Sequence, residues 1–232
     1  MRPNRCLASL VGLLAITSSA AGGRVDPVLH LNFDEGAGTV TVEQIGGEEG
    51  KIGTGQWTEG RFGKALTFNG KDSAVSFGRG DTIGATGTLE LWVKPGTKGG
   101  TLLAYSAGGV HHVNNLLAID YIASSESIRA LSRWEGEAFP YHWYEETAKG
   151  SVPRDRWTLI NLVQDGRNPK IYLNGKLAVE IKAGNQLKSW TNAPEKHWFN
   201  WLIGGDLRSG PDAGFFQGTI DEVRIYNRAV WP

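Results

Sequence analysis

The chain is poor in sulfur, in charge imbalance and in long apolar runs, and each shortage closes off a class of explanation. Cys6 is the only cysteine in 232 residues, so no disulfide framework can hold the fold together. Lys and Arg number 24 against 24 Asp and Glu, with no clustered basic stripe of the kind nucleic-acid binding uses, so no nucleic-acid partner is expected. The apolar stretch at 7–16 falls well short of the roughly 20 residues a membrane span needs, and no other segment suits a bilayer. No long amphipathic helix pattern occurs. The Gly-rich stretches, including Gly204-Gly205, lack the Gly-Lys-Ser/Thr ending of a phosphate loop, and no nucleophile-elbow pattern is present.

What is there begins with an export signal. Arg2 and Arg5 precede the apolar run, and Ser18-Ser19-Ala20-Ala21 supplies small residues for cleavage, so residues 1–21 read as a signal peptide and 22–232 as the mature chain. Cys6 leaves with the signal, and the mature chain carries 22 basic against 24 acidic residues. A secreted protein without thiols must rely on its core, and about 210 residues suffice for one β-sandwich domain.

Short alternating runs, punctuated by Gly, Asn and Asp, indicate an all-β sandwich or barrel. Strands are expected at 28–33, 65–68, 74–77, 88–93, 101–105, 116–121, 128–134, 157–163, 170–173, 177–181, 201–203 and 218–226. Asn174-Gly175 matches a two-residue hairpin that needs positive φ at both positions, and Asp165-Gly166 marks another turn. Together they predict a meander of three antiparallel strands. The Gly-rich segment 46–55 reads as a loop, and one domain accounts for the chain.

Five of the nine Trp residues fall within 134–143 and 190–201. These segments interleave aromatics with Glu, Asn and His. Flat rings beside polar groups suit the apolar faces and hydroxyl rims of sugars; they equally suit a protein interface or simple packing. The candidate ligand contacts are Trp134, Tyr141, Trp143, Tyr144, Trp190, His197 and Trp198. Trp92 and Trp157 lie in strong strand patterns and read as structural. His111-His112 reads as a solvated loop.

The segments Leu29-His30-Leu31-Asn32-Phe33-Asp34-Glu35-Gly36, Ile171-Tyr172-Leu173-Asn174-Gly175-Lys176 and Gly218-Thr219-Ile220-Asp221-Glu222-Val223-Arg224-Ile225-Tyr226-Asn227-Arg228-Ala229 resemble the laminin-G-like jelly-roll family, within the concanavalin A-like lectin/glucanase fold. The resemblance implies an all-β, two-sheet antiparallel sandwich (a jelly roll) with its first and last strands paired, and a binding surface instead of a reaction centre. It also implies a structural calcium ion (Ca2+) at Asp221, with Asp34 or Glu35 and the Asn69-Gly70 turn as partners. Simple alternation places Asp221 on the face of Val223 and Ile225. The alternative for Asp221 is pairing with an Arg such as Arg61, or bonding to backbone amides. Laminarinase-type relatives carry Glu-x-Asp-x-x-Glu, which is absent here. Glu90 is the lone carboxylate of its strand, and the neighbours Glu48-Glu49 and Glu145-Glu146 point oppositely on a strand. Carboxylates from different strands remain open as a pair. The expectation is an exported, non-catalytic module binding a glycan, with a cell-surface protein-interaction module and a glycosidase as the alternatives.

Overall fold

The computed structural model describes residues 25–77, 86–107, 115–132, 143–182, 199–205 and 214–232. Within them the chain forms sixteen strands: β1 Leu29–Leu31, β2 Val40–Val42, β3 Glu49–Lys51, β4 Gln56–Glu59, β5 Lys64–Asn69, β6 Val75–Phe77, β7 Thr86–Pro95, β8 Gly100–Ala107, β9 Asn115–Ile122, β10 Ser127–Ser132, β11 Trp143–Glu146, β12 Thr158–Asp165, β13 Lys170–Leu173, β14 Lys176–Glu180, β15 Phe199–Ile203 and β16 Gln217–Tyr226. No helix long and apolar enough to cross a membrane occurs among the described residues.

The strands pair in two antiparallel sheets of eight. The first runs β14-β13-β12-β7-β16-β5-β4, with β1 also on β16; the second runs β11-β10-β9-β8-β15-β6-β3-β2. Alternation explains the layering, since successive side chains point to opposite faces. Leu89, Leu91 and Val93 of β7, Ile160 and Leu162 of β12, and Ile220, Val223 and Ile225 of β16 are all buried. They meet Leu103, Tyr105, Leu117, Ile119, Tyr121, Trp201 and Ile203 of the second sheet in one continuous core. Trp201, part of the second aromatic segment, is therefore a core residue, its ring centroid 5.0 Å from that of Tyr105.

The expected meander is present as β12–β13–β14. Its turn carries Asn174 at φ 50° and Gly175 at φ 78°, the conformation Asn-Gly tolerates at least cost. The first and last strands also pair, with Leu31 opposite Val223. However, β16 is central, with β7 along one side. Its other side is divided between β5 at 217–220 and β1 at 223–225.

That division coincides with a β-bulge. Asp221 stands opposite Trp92 and Arg224 opposite Glu90, so Glu222 and Val223 together face the single residue Leu91. Glu222 takes the extra residue's twist at φ 53°. The bulge corrects the alternation expected for this strand. Ile220, Val223 and Ile225 all face the core, while Asp221 lies on the outer face beside Trp92. Four short strands also stand where none was expected, β2, β3, β4 and β11, with β3 inside the presumed 46–55 loop.

Candidate functional site

The outer face of the first sheet carries a row of side chains built by register alone. His30 pairs with Arg224, Arg224 with Glu90, Glu90 with Asn161 and Asn161 with Tyr172, crossing β1, β16, β7, β12 and β13. Residues in register share a face, so five strands deliver one side chain each to a single line. The Arg224 guanidinium donates from one terminal nitrogen to Glu90 Oε1 at 2.9 Å and from the other to Glu222 Oε2. His30 Nε2 lies 2.7 Å from Glu222 Oε2, and Asn161 Nδ2 donates to Glu90 Oε2 at 2.7 Å.

Two carboxylates from different strands thus converge, which the sequence left open. A glycosidase acid needs its pKa raised. Burial pushes Glu222 upward, but the hydrogen bond from His30 and the charge of Arg224 outweigh it and hold the carboxyl below the usual range. With both carboxylates locked on one guanidinium, the row is a hydrogen-bonding surface.

Asp221, one residue away, is treated differently. It is fully buried, and its Oδ2 accepts the backbone N–H groups of Arg61 at 2.8 Å and Phe62 at 3.0 Å. Its Oδ1 meets no hydrogen-bond partner among the described residues. Burial pushes the pKa up to about 6 against the pull of the Phe62 and Arg61 amides. The amide alternative weighed for Asp221 describes this contact. The turn above it passes close enough that Gly60 has no room for a Cβ: one would collide with Lys64 O and sit 2.7 Å from Asp221 Oδ2. Arg61 lies over Trp92, its guanidinium 4.8 Å from the ring centroid, and Phe62 meets Trp92 edge-on at 5.9 Å.

The residues expected to hold calcium are engaged in hydrogen bonds of the fold. Asp34 Oδ1 accepts Lys64 N at 2.8 Å, clamping the other end of the same turn. Glu35 Oε1 accepts Thr41 Oγ1 and Val42 N. Asn69 Oδ1 accepts three backbone N–H groups of its own turn, those of Lys71, Asp72 and Ser73. Asn69 pairs with Gln217, four residues along β16 from Asp221, a separation of about 13 Å in an extended strand, and Gly70 follows it. Among the described residues no group of three His, Cys, Asp or Glu side chains that could hold a metal ion occurs.

Trp134, Tyr141, Trp190, His197 and Trp198 lie outside the described residues, as does His111-His112. Trp143 and Tyr144 are placed by backbone on β11, opposite Ser132 and Leu131. The anchors of both aromatic segments can still be located. Ser132 and Trp143 flank 133–142, while Phe199 follows 183–198 and pairs with Ala107, whose strand ends there. All lie at the same end of the second sheet, with β11 and β15 four strands apart, or about 19 Å. Beside that end, the outer face of the second sheet carries buried Ala104, Ala118 and Leu131. Further along it, Arg129 donates to Asp120 Oδ2 at 2.8 and 3.2 Å, and Thr101 donates to Asp120 Oδ1 at 2.8 Å.

Similar architecture occurs in several solved structures. Trypanosoma rangeli sialidase in complex with the inhibitor DANA aligns with 97% of this chain at TM-score 0.61 and 17% identity, over 34% of its own length. Domain 4 of AbnA, a GH43 extracellular arabinanase from Geobacillus stearothermophilus, in complex with arabinotriose, aligns with 88% of this chain and 93% of its own at TM-score 0.56 and 21% identity. The botulinum neurotoxin serotype D binding domain gives TM-score 0.59 at 11% identity, over 88% of this chain and 48% of its own. The chain thus spans about a third of the sialidase and about half of the toxin domain, and the likeness is one of fold. Among curated proteins no sequence matches it. Residues 69–232 match the family described as the Concanavalin A-like lectin/glucanases superfamily, and to that laminin-G-type family the chain belongs.

Proposed function

We propose that this protein is an exported, non-catalytic binding module whose ligand is a glycan, held by aromatic residues at one end of the second sheet. The observation that carries this reading is the common location of the anchors. Two segments nearly 50 residues apart, each mixing aromatic rings with carboxylates, amides or His, are tethered at one end of the same sheet. Aromatic walls with a few convergent polar groups are the usual make-up of a saccharide pocket. Among structures of similar fold, one arabinanase domain is in complex with arabinotriose and one sialidase in complex with sialic acid, which supports a sugar ligand. The non-catalytic reading is supported by Glu90 and Glu222, which share one guanidinium, with Glu222 held below the usual carboxylate range. Export is supported by the basic, apolar and small-residue pattern of residues 1–21.

A glycan array probed with the mature chain, with Trp143→Ala and with Trp198→Ala tests the reading. Binding to a defined glycan that weakens about tenfold or more in either variant is the expected result. Failure to bind any glycan, together with capture of one protein from an envelope extract, overturns it in favour of a cell-surface interaction module. Release of reducing sugar that vanishes in Glu90→Gln or Glu222→Gln overturns the non-catalytic part.

A further inference from the structure

The outer face of the first sheet has an organisation that its structural duties do not require. Two aromatic groups border the charged part of the row, one of them built around Tyr172 at the row's own end. On one side, Phe62 is 50% exposed and leans edge-on against Trp92, with the Arg61 guanidinium stacked over both rings. On the other, Trp231 is 49% exposed, meets Tyr172 edge-on at 6.1 Å and carries Lys170 Nζ 5.4 Å from its ring centroid. The segment bearing Trp231 is pinned to the sheet. Thr88 Oγ1 donates to Arg228 O at 3.1 Å and accepts from Val230 N at 2.8 Å. Trp92 is one outward position along β7 from Glu90, and Tyr172 is level with Glu90 two strands away, so their backbones lie about 12 Å apart.

The chemistry of this face narrows its occupant. The charges of the row are satisfied among themselves, Glu90 and Glu222 by Arg224, with His30 on Glu222. Two carboxylates stand against one guanidinium and a His in the row, while Arg61 and Lys170 lie over the aromatic groups beside it, so a ligand of either charge sign meets a like charge on this face. A wholly apolar ligand would strip the remaining water from ions whose side chains still reach solvent, by 26% for Arg224, 18% for Glu90 and 10% for Glu222. What fits is a neutral molecule with apolar faces for the rings and hydroxyl groups for the row, where Glu222 Oε1 accepts from no described residue. We propose that this face is a second binding site, for a neutral oligosaccharide, spanning Phe62 and Trp92 at one end and Tyr172 and Trp231 at the other. The inference shares with the proposed function only the assumption that the ligand is a sugar; the site is on the other sheet and uses none of the same residues.

Indole N–H signals of the 15N-labelled mature chain, assigned by single Trp→Phe substitutions, read the two sites separately. Cellohexaose, xylohexaose and mannohexaose are the probes, with trigalacturonate as the charged control. A neutral hexaose is expected to shift the Trp92 and Trp231 signals, with an affinity that changes little between low and high salt. Phe62→Ala and Trp231→Ala, both half-exposed and outside the core, should each weaken binding about tenfold, while Trp143→Ala and Trp198→Ala leave it unchanged. Shifts confined to the other indoles overturn this site and leave the proposed function standing. Shifts at Trp92 and Trp231 alone uphold this site against the loop-borne one, and no shift anywhere overturns both. Preference for trigalacturonate, or shifts that follow protein concentration without sugar, also overturn it, the latter by making a second copy of the chain the occupant.

Discussion

Asp221 lies beneath the 60–63 turn, and Glu222, the next residue, stands in the charged row between His30 and Arg224. The first has only backbone dipoles for company and is pushed up to about 6 by burial. The second is also partly buried, yet formal positive charge and a His hydrogen bond take it below the ordinary range. Two amide hydrogen bonds do not offset the loss of water around a carboxylate, whereas a guanidinium does. The bulge makes the contrast possible: Glu222 at φ 53° lets both carboxylates stay out of the core while Val223 turns in.

Removing the guanidinium attacks the contrast hardest. Arg224→Met leaves Glu90 and Glu222 side by side without a counter-ion. Because 26% of the Arg224 side chain reaches solvent, the expected loss is about 2–3 kcal/mol, somewhat under the range for a fully buried broken pair. Chemical denaturation measures it, and adding Glu222→Gln should return part of the loss. A loss under about 0.5 kcal/mol would mean that the row behaves as an ordinary surface ion pair.

Opening the roof over Asp221 comes next. Gly60→Ala forces a methyl group against Lys64 O and the Asp221 carboxylate, so the turn must lift. The expected cost is about 1–2 kcal/mol, within the range of single-site strain effects. Lifting the turn also rehydrates Asp221, so its pKa should fall toward the ordinary value. Carbon-detected titration of the side-chain carboxyl reads this directly, and an unchanged pKa would place the cause of the shift elsewhere.

Much of this fold could be read in advance, and the reasons are local. The Ile171-Tyr172-Leu173 and Lys176-Leu177 runs flank an Asn-Gly pair whose φ values are what such a pair tolerates, so the meander followed from backbone chemistry. The strands that escaped notice are β2, β3, β4 and β11, of three or four residues each, too short to display a period and stabilised by pairing. Asp221 escaped for another reason. The apolar spacing Ile220, Val223, Ile225 runs three and then two, and that broken alternation was the visible sign of a bulge. Glu90 and Glu222 are 132 positions apart on neighbouring strands, and no single-strand pattern joins them. For the aromatic segments, composition named the candidates and strand register supplied their common end.

Acid tests the buried half of the contrast alone. With its folded pKa near 6 and an unfolded value near 3.8, Asp221 binds its proton more tightly when folded. Stability from this group therefore rises as pH falls from 7 toward 4, the reverse of an ordinary paired carboxylate. Glu222 acts in the opposite sense: its contribution is present above the unfolded value of about 4.5 and lost below it. Asp221→Asn keeps an oxygen for the Arg61 and Phe62 amides and removes the charge. The expected outcome is that wild type gains a few degrees in melting temperature relative to Asp221→Asn between pH 7 and pH 5. Parallel melting curves across that range would show that Asp221 is not the group held high.

Calcium is the gentlest probe. A calcium ion requires six to eight oxygens. Here Asp34 Oδ1 and Asp221 Oδ2 are occupied by the backbone N–H groups of the turn they clamp, and Asn69 is bound to its own turn about 13 Å from Asp221. An ion at Asp221 would have to recruit Oδ1, which is buried under the same turn, and no group of three His, Cys, Asp or Glu side chains among the described residues joins it there. Melting in millimolar calcium and in chelator should therefore coincide. A calcium-dependent rise would show that the turn opens to let an ion bridge Asp34 and Asp221. That rise should vanish in Asp221→Asn while the response of the charged row to Arg224→Met stayed the same, since the two carboxylates of neighbouring residues answer to different partners.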